Sequence, residues 1–180
     1  MKISRCQAAI NQVAQWDREI TLLINRTSRW RTVCPFFRVI SSLGNGKFWY
    51  AMMATLPLLH GHYGIQAGLH MGLTALTTLI VYKSLKGVTQ RPRPGAVHKA
   101  IMQGATSLDE FSLPSGHTMH SVSFSIIAVA WFPALLPLLL TFTILVAMSR
   151  VVLGLHYPTD VVLGALFGLL ISELSLLLVG

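Results

Sequence analysis

Two apolar runs, Leu135 to Met148 and Val161 to Val179, flank a string that reads Ser-Arg-Val-Val-Leu-Gly-Leu-His-Tyr-Pro-Thr-Asp from Ser149 to Asp160. Runs of this kind belong to helices that sit in lipid, where every backbone polar group must find its partner within its own helix. The string therefore lies at one mouth of a membrane-buried helix pair. An arginine, a histidine and an aspartate are costly there, and charged groups at such a place read as functional. Composition agrees with the membrane setting: 53% of residues are hydrophobic and only 11% charged, with a mean hydropathy of +0.60, far from the balance of a soluble domain. The expected class is all-α, a multi-pass transmembrane helix bundle of about five spans.

The spans can be placed from the apolar stretches. The first begins near Lys47, after Gly44-Asn45-Gly46, and ends near Leu59. It is short for a span, so its helix is expected to extend past the apolar residues or to tilt little. The second runs from Gly64 to about Lys83, the third from Ser115 to about Phe132, the fourth from Ala134 to about Leu153 and the fifth from Pro158 to Val179. Residues 87–113 form a polar loop. Residues 1–43 stand apart from this core of residues 44–180, and residues 1–31 lack the apolar stretch of a signal peptide. In them Ile10, Val13, Ala14, Ile20, Leu23 and Ile24 recur at helical spacing among Arg5, Gln12, Arg18, Glu19 and Arg26. That pattern predicts an N-terminal amphipathic helix, either lying in the membrane interface or packed on the bundle as a solvated helix. Cys6 and Cys34 have no spacing partner and imply no disulfide framework.

Counting spans puts the polar motifs on one face of the membrane: Lys86, Arg91 and Arg93, then Ser115 and His117, then Arg150, His156 and Asp160. Pro158 suits the first turn of a helix, which places Asp160 in that turn. Its carboxylate could reach back to the ring of His156, fix the tautomer and leave the other nitrogen free to attack an electrophile. The fork of Arg150 matches phosphate oxygens, so the string suits phosphoryl transfer. It also fits a plain capped helix start with a surface histidine and arginine. In Pro114-Ser115-Gly116-His117 the serine is placed to cap the third helix, and the free N–H groups of Gly116 and His117 favour an anion. His117 would be close enough to donate a proton to a leaving oxygen. Pro-Ser-Gly alone is ordinary capping chemistry. Lys86, Arg93 and Arg150 would supply three fixed positive charges for a phosphoryl group. Basic residues also gather at membranes to meet anionic lipid, the reading taken here for Arg91 and Lys99.

Taken together, Lys86-x6-Arg93-Pro94, Pro114-Ser115-Gly116-His117 and Ser149-Arg150-x5-His156-x3-Asp160 resemble the three-part signature of the type 2 phosphatidic acid phosphatase superfamily. The resemblance covers residues from about 44 to 179. It implies a membrane lipid phosphatase in which His156 is the nucleophile that forms a phosphohistidine and Asp160 orients it. His117 would be the general acid, while Lys86, Arg93, Ser115, Gly116 and Arg150 bind the phosphoryl oxygens. No metal and no cofactor are implied. The residues fit, since of the six acidic residues only Asp160 belongs to the expected site and no carboxylate cluster offers itself to magnesium. The substrate would be a lipid phosphate or diphosphate, such as phosphatidic acid, phosphatidylglycerol phosphate or a polyprenyl (undecaprenyl) diphosphate, met in the bilayer. No nucleic acid and no obligate protein partner are implied. Many relatives carry an additional N-terminal span, in place of which this chain shows the interfacial segment. Two other classes fit the same residues: a phosphotransferase that passes the group to an acceptor other than water, and a non-enzymatic lipid-binding protein. The intact set of His156, Asp160 and His117 counts against the second. Related vanadate haloperoxidases are typically soluble, unlike this chain.

Charge bears on orientation. All fourteen lysines and arginines fall on the active-site face or in the N-terminal segment on the same side, so the positive-inside rule places that face in the cytoplasm of a cell membrane. Many bacterial relatives are thought to work at the outer face. Gly68-x3-Gly72 and Gly164-x3-Gly168 are read as packing within the bundle, His120 as a packing residue or a support for the site, and His98 as a loop residue. Towards the opposite face, His70 and Glu173 lie at a similar depth, about 10 Å in at a helical rise of about 1.5 Å. A hydrogen bond between them would relieve the cost of a buried carboxylate. The alternative turns Glu173 to the interface and His70 to a neighbouring helix.

Overall fold

A computed structural model describes residues 5–107 and 109–179, with side chains described from Gln7 onward. The side chains of Arg5 and Cys6 lie outside the described set. In chain order the helices are α1 (Arg5–Asn25), α2 (Val33–Ser42), α3 (Phe48–Thr89), the short α4 (Pro94–Val97), α5 (Gly116–Trp131), α6 (Leu136–Val152) and α7 (Pro158–Val179).

α3 is two arms. Gly61 takes φ +55° and ψ −130° and turns the chain back, so that Gly64 meets the carbonyl of Leu56 and Gly68 that of Met53. A Cβ at Gly64 would stand 2.1 Å from the Leu56 oxygen, so the hairpin closes only on glycine. Upstream, α2 runs into α3 through a π-helical turn, Leu43–Lys47, where Asn45 and Gly46 leave helical geometry. The short first span is thereby preceded by α2 across a kink at Asn45 and Gly46. Val33–Thr89, Pro133–Val152 and Pro158–Val179 are each long and apolar enough to cross a membrane. The first supplies both arms of α3, and α5, with 16 residues, completes five legs.

α5 packs against α3, α6 and α7. The approach of α7 depends on its small residues: a Cβ at Gly164 would lie 2.7 Å from the carbonyl oxygen of Ser115, and one at Gly168 2.6 Å from that of Met119. These glycines thus serve packing between helices of one chain. Ser123 and Ser172 both donate to the carbonyl of Gly168, at 3.2 and 2.7 Å, so hydroxyls buried in the seam are satisfied. Below the polar mouth, Trp49 stacks on Phe124 at 5.0 Å, and Phe48 meets Phe142 at 4.1 Å. Met71, Ile127, Leu139 and Val146 fill the space around them. Leu166, Leu170 and Leu174 of α7 stay exposed, as a lipid-facing surface requires.

α1 reverses the pattern of a soluble surface helix. Its buried stripe is polar, Asp17, Thr21 and Asn25, while Ile10, Val13, Trp16, Ile20 and Leu23 are exposed. Asn25 anchors its C-terminal end: Nδ2 donates to the carbonyls of Met102 and Val152, both at 2.8 Å, and Oδ1 accepts from the N–H of Met102. The helix is therefore both interfacial and bolted to the bundle, with its apolar face turned outward.

The expected pairing of His70 with Glu173 does not form. His70 Nε2 lies 2.9 Å from Ser175 Oγ, and its Nδ1 accepts from Trp131 Nε1 at 3.1 Å. Glu173 is exposed. The rotation of α7 is set by its stripe Gly164, Gly168, Ser172 and Ser175, which carries Glu173 to the outer side.

Candidate active site

α6 ends in a Schellman turn. Gly154, at φ +67°, donates to the carbonyl of Val151, and Leu155 donates to that of Arg150, both at 3.0 Å. A Cβ at Gly154 would also lie 2.7 Å from the Met102 oxygen, so glycine is needed for contact as well as conformation. His156 follows two residues on, its N–H held by the Arg150 carbonyl at 3.1 Å, and Pro158 opens α7. At the other side of the mouth, α3 stops at Gln90, whose left-handed conformation returns its N–H to the Lys86 carbonyl. Pro92 and Pro94 then keep the chain extended, and Arg93 crosses over His156.

Arg93 Nη1 lies 3.2 Å from His156 Nε2 and donates to the Leu155 carbonyl at 2.7 Å. A guanidinium carries donors only, so Nε2 is the acceptor and the ring proton sits on Nδ1. Nδ1 faces Asp160 Oδ2 at 3.6 Å. That is longer than a hydrogen bond, and among the described residues Nδ1 has no partner within bonding distance. Asp160, fully buried, accepts instead from the Tyr157 N–H at 2.8 Å and from Arg91 Nη1 at 2.7 Å.

Arg91 is thus no lipid-facing cation. Its other nitrogen, Nη2, bonds Asp17 of α1 at 2.6 Å, and its guanidinium lies 4.1 Å from the centre of the Tyr157 ring. Its partners stand far away in sequence, where spacing carries no signal. The expectation that Asp160 is the site's sole acid also needs correction. Asp109, from the 98–113 loop, bonds Lys86 Nζ at 2.6 Å and Arg93 Nη2 at 2.5 Å. Nothing in the residues around Asp109 marks it in advance. A loop has no periodicity from which to read where its carboxylate lands.

Lys86, Arg93, Arg150, His117, His156, Gly116 and Asp109 line one end of a cavity of about 390 Å³. Its other end is apolar, with Trp49, Leu79 and Phe124, and reaches Tyr50 and Leu76, which are 68% and 55% exposed. The cavity therefore opens sideways between the helices. Arg150 is buried and bonded through Nη1 to Ser41 Oγ, and among the described residues its Nε has no partner. A neighbouring cavity of about 800 Å³ shares Asn45, His117 and Arg150 and is otherwise lined mainly by polar residues, among them Arg38, Ser41, Gln103 and Ser107.

Ser115 is placed elsewhere. Its hydroxyl bonds Thr118 Oγ1 at 3.0 Å, and it does not line the cavity; its N–H donates to the Asp160 carbonyl at 3.0 Å and ties the starts of α5 and α7. His120 bonds the Gly116 carbonyl at 2.9 Å and borders the cavity. His98 lines a separate groove with Arg18 and Tyr157, and Lys99 is exposed. Among the described residues no three His, Cys, Asp or Glu side chains converge as a metal site requires.

Burial first, then the charges of Arg150, Arg93 and Lys86, hold the His156 imidazole well below its ordinary range, against a smaller opposing pull from the Ser112 backbone. The ring is neutral at neutral pH. Burial pushes the Asp109 carboxyl up, but the hydrogen bonds and charges of Lys86 and Arg93 outweigh it and leave the group below its ordinary value. Three cations and one carboxylate surround a neutral imidazole whose lone pair is on the cavity side. That arrangement can hold a dianion and offer it a nucleophile.

Known proteins share this architecture. The transmembrane PAP2-type phosphatidylglycerolphosphate phosphatase of Bacillus subtilis superposes with a TM-score of 0.79 at 28% identity, over 95% of this chain and 89% of that one. Aquifex aeolicus LpxE superposes at 0.77 over 88% and 93% of the two chains, at 24% identity, a likeness of fold. In sequence, the chain is 29% identical to the decaprenylphosphoryl-5-phosphoribose phosphatase of Mycolicibacterium smegmatis over 71% of its own length and 68% of that protein's. It is also 29% identical to the lipid A 1-phosphatase of Rhizobium johnstonii, over 60% of its own length, and spans about half, 46%, of that relative. Residues 67–180 match the family model of the PAP2 superfamily, and with more than half its length in that match the chain belongs to this family.

Proposed function

We propose that this membrane protein is a hydrolase that removes phosphate from a lipid phosphate or diphosphate through a phosphohistidine at His156. The observation that carries the reading is the unprotonated Nε2 of His156 beside Arg93, in a cavity with cations at one end and an apolar opening at the other. The lipid's phosphoryl group is held by Lys86, Arg93 and Arg150, with the N–H end of α5 at Gly116 and His117 adding positive potential. Nε2 attacks phosphorus as the P–O bond to the lipid breaks, and His117 gives its proton to the leaving oxygen. Negative charge on Asp160 steadies the imidazolium that forms. Water then attacks the phosphohistidine, His117 takes a proton from it, and inorganic phosphate departs. The polar second cavity meets the first at Asn45, His117 and Arg150, a path for water that favours hydrolysis over transfer to a lipid acceptor.

The named activities of the relatives, on phosphatidylglycerolphosphate, lipid A and a decaprenylphosphoryl sugar phosphate, define the panel to assay. Purified protein should release inorganic phosphate from at least one of these or from phosphatidic acid or undecaprenyl diphosphate, and should carry acid-labile phosphate on His156. Full release by folded His156→Ala protein would overturn the reading. On orientation, the charge bias supports a cytoplasmic site. Gly95 is too close to Gln103 and Gly154 for a probe, whereas Ala96 is exposed. In a Cys6→Ser, Cys34→Ser background, rapid labelling of Ala96→Cys by an impermeant reagent in intact cells would place the site outside.

A further inference from the structure

Asp17 sits outside every motif of the signature, yet it is 2% exposed on α1, and its carboxylate bonds Thr159, in the first turn of α7 beside His156, and Arg91 in the link after α3. Oδ2 accepts from Arg91 Nη2 at 2.6 Å and from the Thr159 hydroxyl; Oδ1 accepts from the Thr159 N–H at 3.0 Å. Arg91 Nη1 in turn reaches Thr159 Oγ1 and Asp160 Oδ1, both at 2.7 Å. One guanidinium is thus shared between two buried carboxylates, Asp17 from the N-terminal helix and Asp160 beside the imidazole.

We infer that Asp17 is a positioning residue for the reaction: through Arg91 and Thr159 it sets the place and charge of Asp160, and so links the membrane-facing helix α1 to the nucleophile. This rests on the roles proposed above for His156 and Asp160. Two physical effects operate. The bonds to Thr159 fix the first turn of α7, on which Asp160 rides. The charge of Asp17 offsets that of Arg91, which would otherwise act in full on Asp160 and His156 and weaken the imidazolium that forms during attack. His156 is also faced by Lys86 of α3, Arg93, Asp109 of the loop, His117 of α5 and Arg150 of α6, and none of these changes when Asp17 does. An uncompensated Arg91 therefore makes protonation of His156 harder, and the acid limb of the pH profile moves to lower pH.

The test is Asp17→Asn in the full-length protein, assayed on whichever panel lipid the parent turns over, against the control Thr21→Val. Thr21 lies on the same buried stripe of α1 but carries no charge. Asp17→Asn is expected to lower kcat about tenfold, the scale of a small displacement near a reacting group, with KM within about twofold and the acid limb of kcat/KM displaced downwards. Thr21→Val should keep the parent kcat and limb. If Asp17→Asn does not fold, Asp17→Ser, which also removes the charge with a smaller side chain, carries the same expectation. An unchanged kcat, or a loss in melting temperature with the limb in place, overturns the inference. His156→Ala run in parallel separates the two layers: if it is inactive while Asp17→Asn is normal, only the role of Asp17 falls; if it remains active, the reading of the site itself falls.

Discussion

At one end of the bundle, charged side chains are gathered into two clusters, Lys86–Asp109–Arg93 and Asp17–Arg91–Asp160. At the other, His70, Thr74, Trp131 and Ser175 form a network of neutral hydrogen bonds. Both ends must join helices in lipid, where an unpaired charge is costly. The neutral network achieves this with groups whose desolvation is modest. The charged end accepts a larger penalty and pairs Lys86, Arg91 and Arg93 with carboxylates, while among the described residues the buried Arg150 bonds the Ser41 hydroxyl and no carboxylate. The difference teaches that the ions serve something other than assembly, and that the buried cation without a carboxylate, Arg150, marks where an anion belongs.

The largest effects should come from breaking the charged end. His156→Ala is expected to cut kcat by at least about 10⁴-fold, and Asp160→Asn by about 10²- to 10³-fold, in protein whose melting temperature stays near the parent value. For the parent, activity is lost as pH falls and His156 takes a proton. Since burial and three cations lower its pKa, the acid limb of kcat/KM for the free enzyme should lie below the ordinary imidazole value of about 6.5. A limb at or above that value would mean the ring is more open to water than its burial indicates.

A second change sharpens the contrast. Asp109 occupies, with one oxygen, the space between Lys86 and Arg93 that a phosphoryl oxygen would take. Its side chain is 35% exposed, so after screening the competition is worth about 1 kcal/mol, or about fivefold in affinity. Asp109→Asn should tighten inhibition by orthovanadate and inorganic phosphate by that factor. Weaker inhibition would show instead that Asp109 holds the two cations in place.

The smallest effect belongs to the neutral end. His70→Ala removes hydrogen bonds to Ser175 and Trp131 and should cost about 1–2 kcal/mol of stability, read as a fall of several degrees in melting temperature in detergent, with kcat unchanged. Glu173→Gln, at an exposed position, should do nothing to either. A drop in kcat for His70→Ala would mean that the two ends are coupled along α3.

The helices were legible because apolar runs and their interruptions are local properties. The site motifs were legible for the same reason, since His156 and Asp160, or Lys86 and Arg93, keep a fixed offset within one turn or one link. Asp17, Arg91 and Asp109 were not, because their meaning lies in partners up to 142 positions away. A trace of α1 did exist in the chain: Asp17, Thr21, Asn25 and Ser28 recur at helical spacing, a polar stripe that a lipid-surrounded helix turns inward. The His70–Glu173 expectation failed because counting residues gives depth along a helix but not rotation about it. The small residues of α7 held that missing angle, and continuing their row leads to Ser175.

The sideways opening beside Tyr50 and Leu76 governs what concentration means for this protein. Molecules that enter through a lateral gap are drawn from a two-dimensional solution, so on the proposed function the rate would depend on the mole fraction of lipid phosphate within the bilayer or micelle and not on its amount per litre. Adding inert detergent at constant total substrate would slow turnover by surface dilution, with no inhibitor bound. In a cell, the same geometry lets other lipids set the rate simply by crowding the leaflet around the gap.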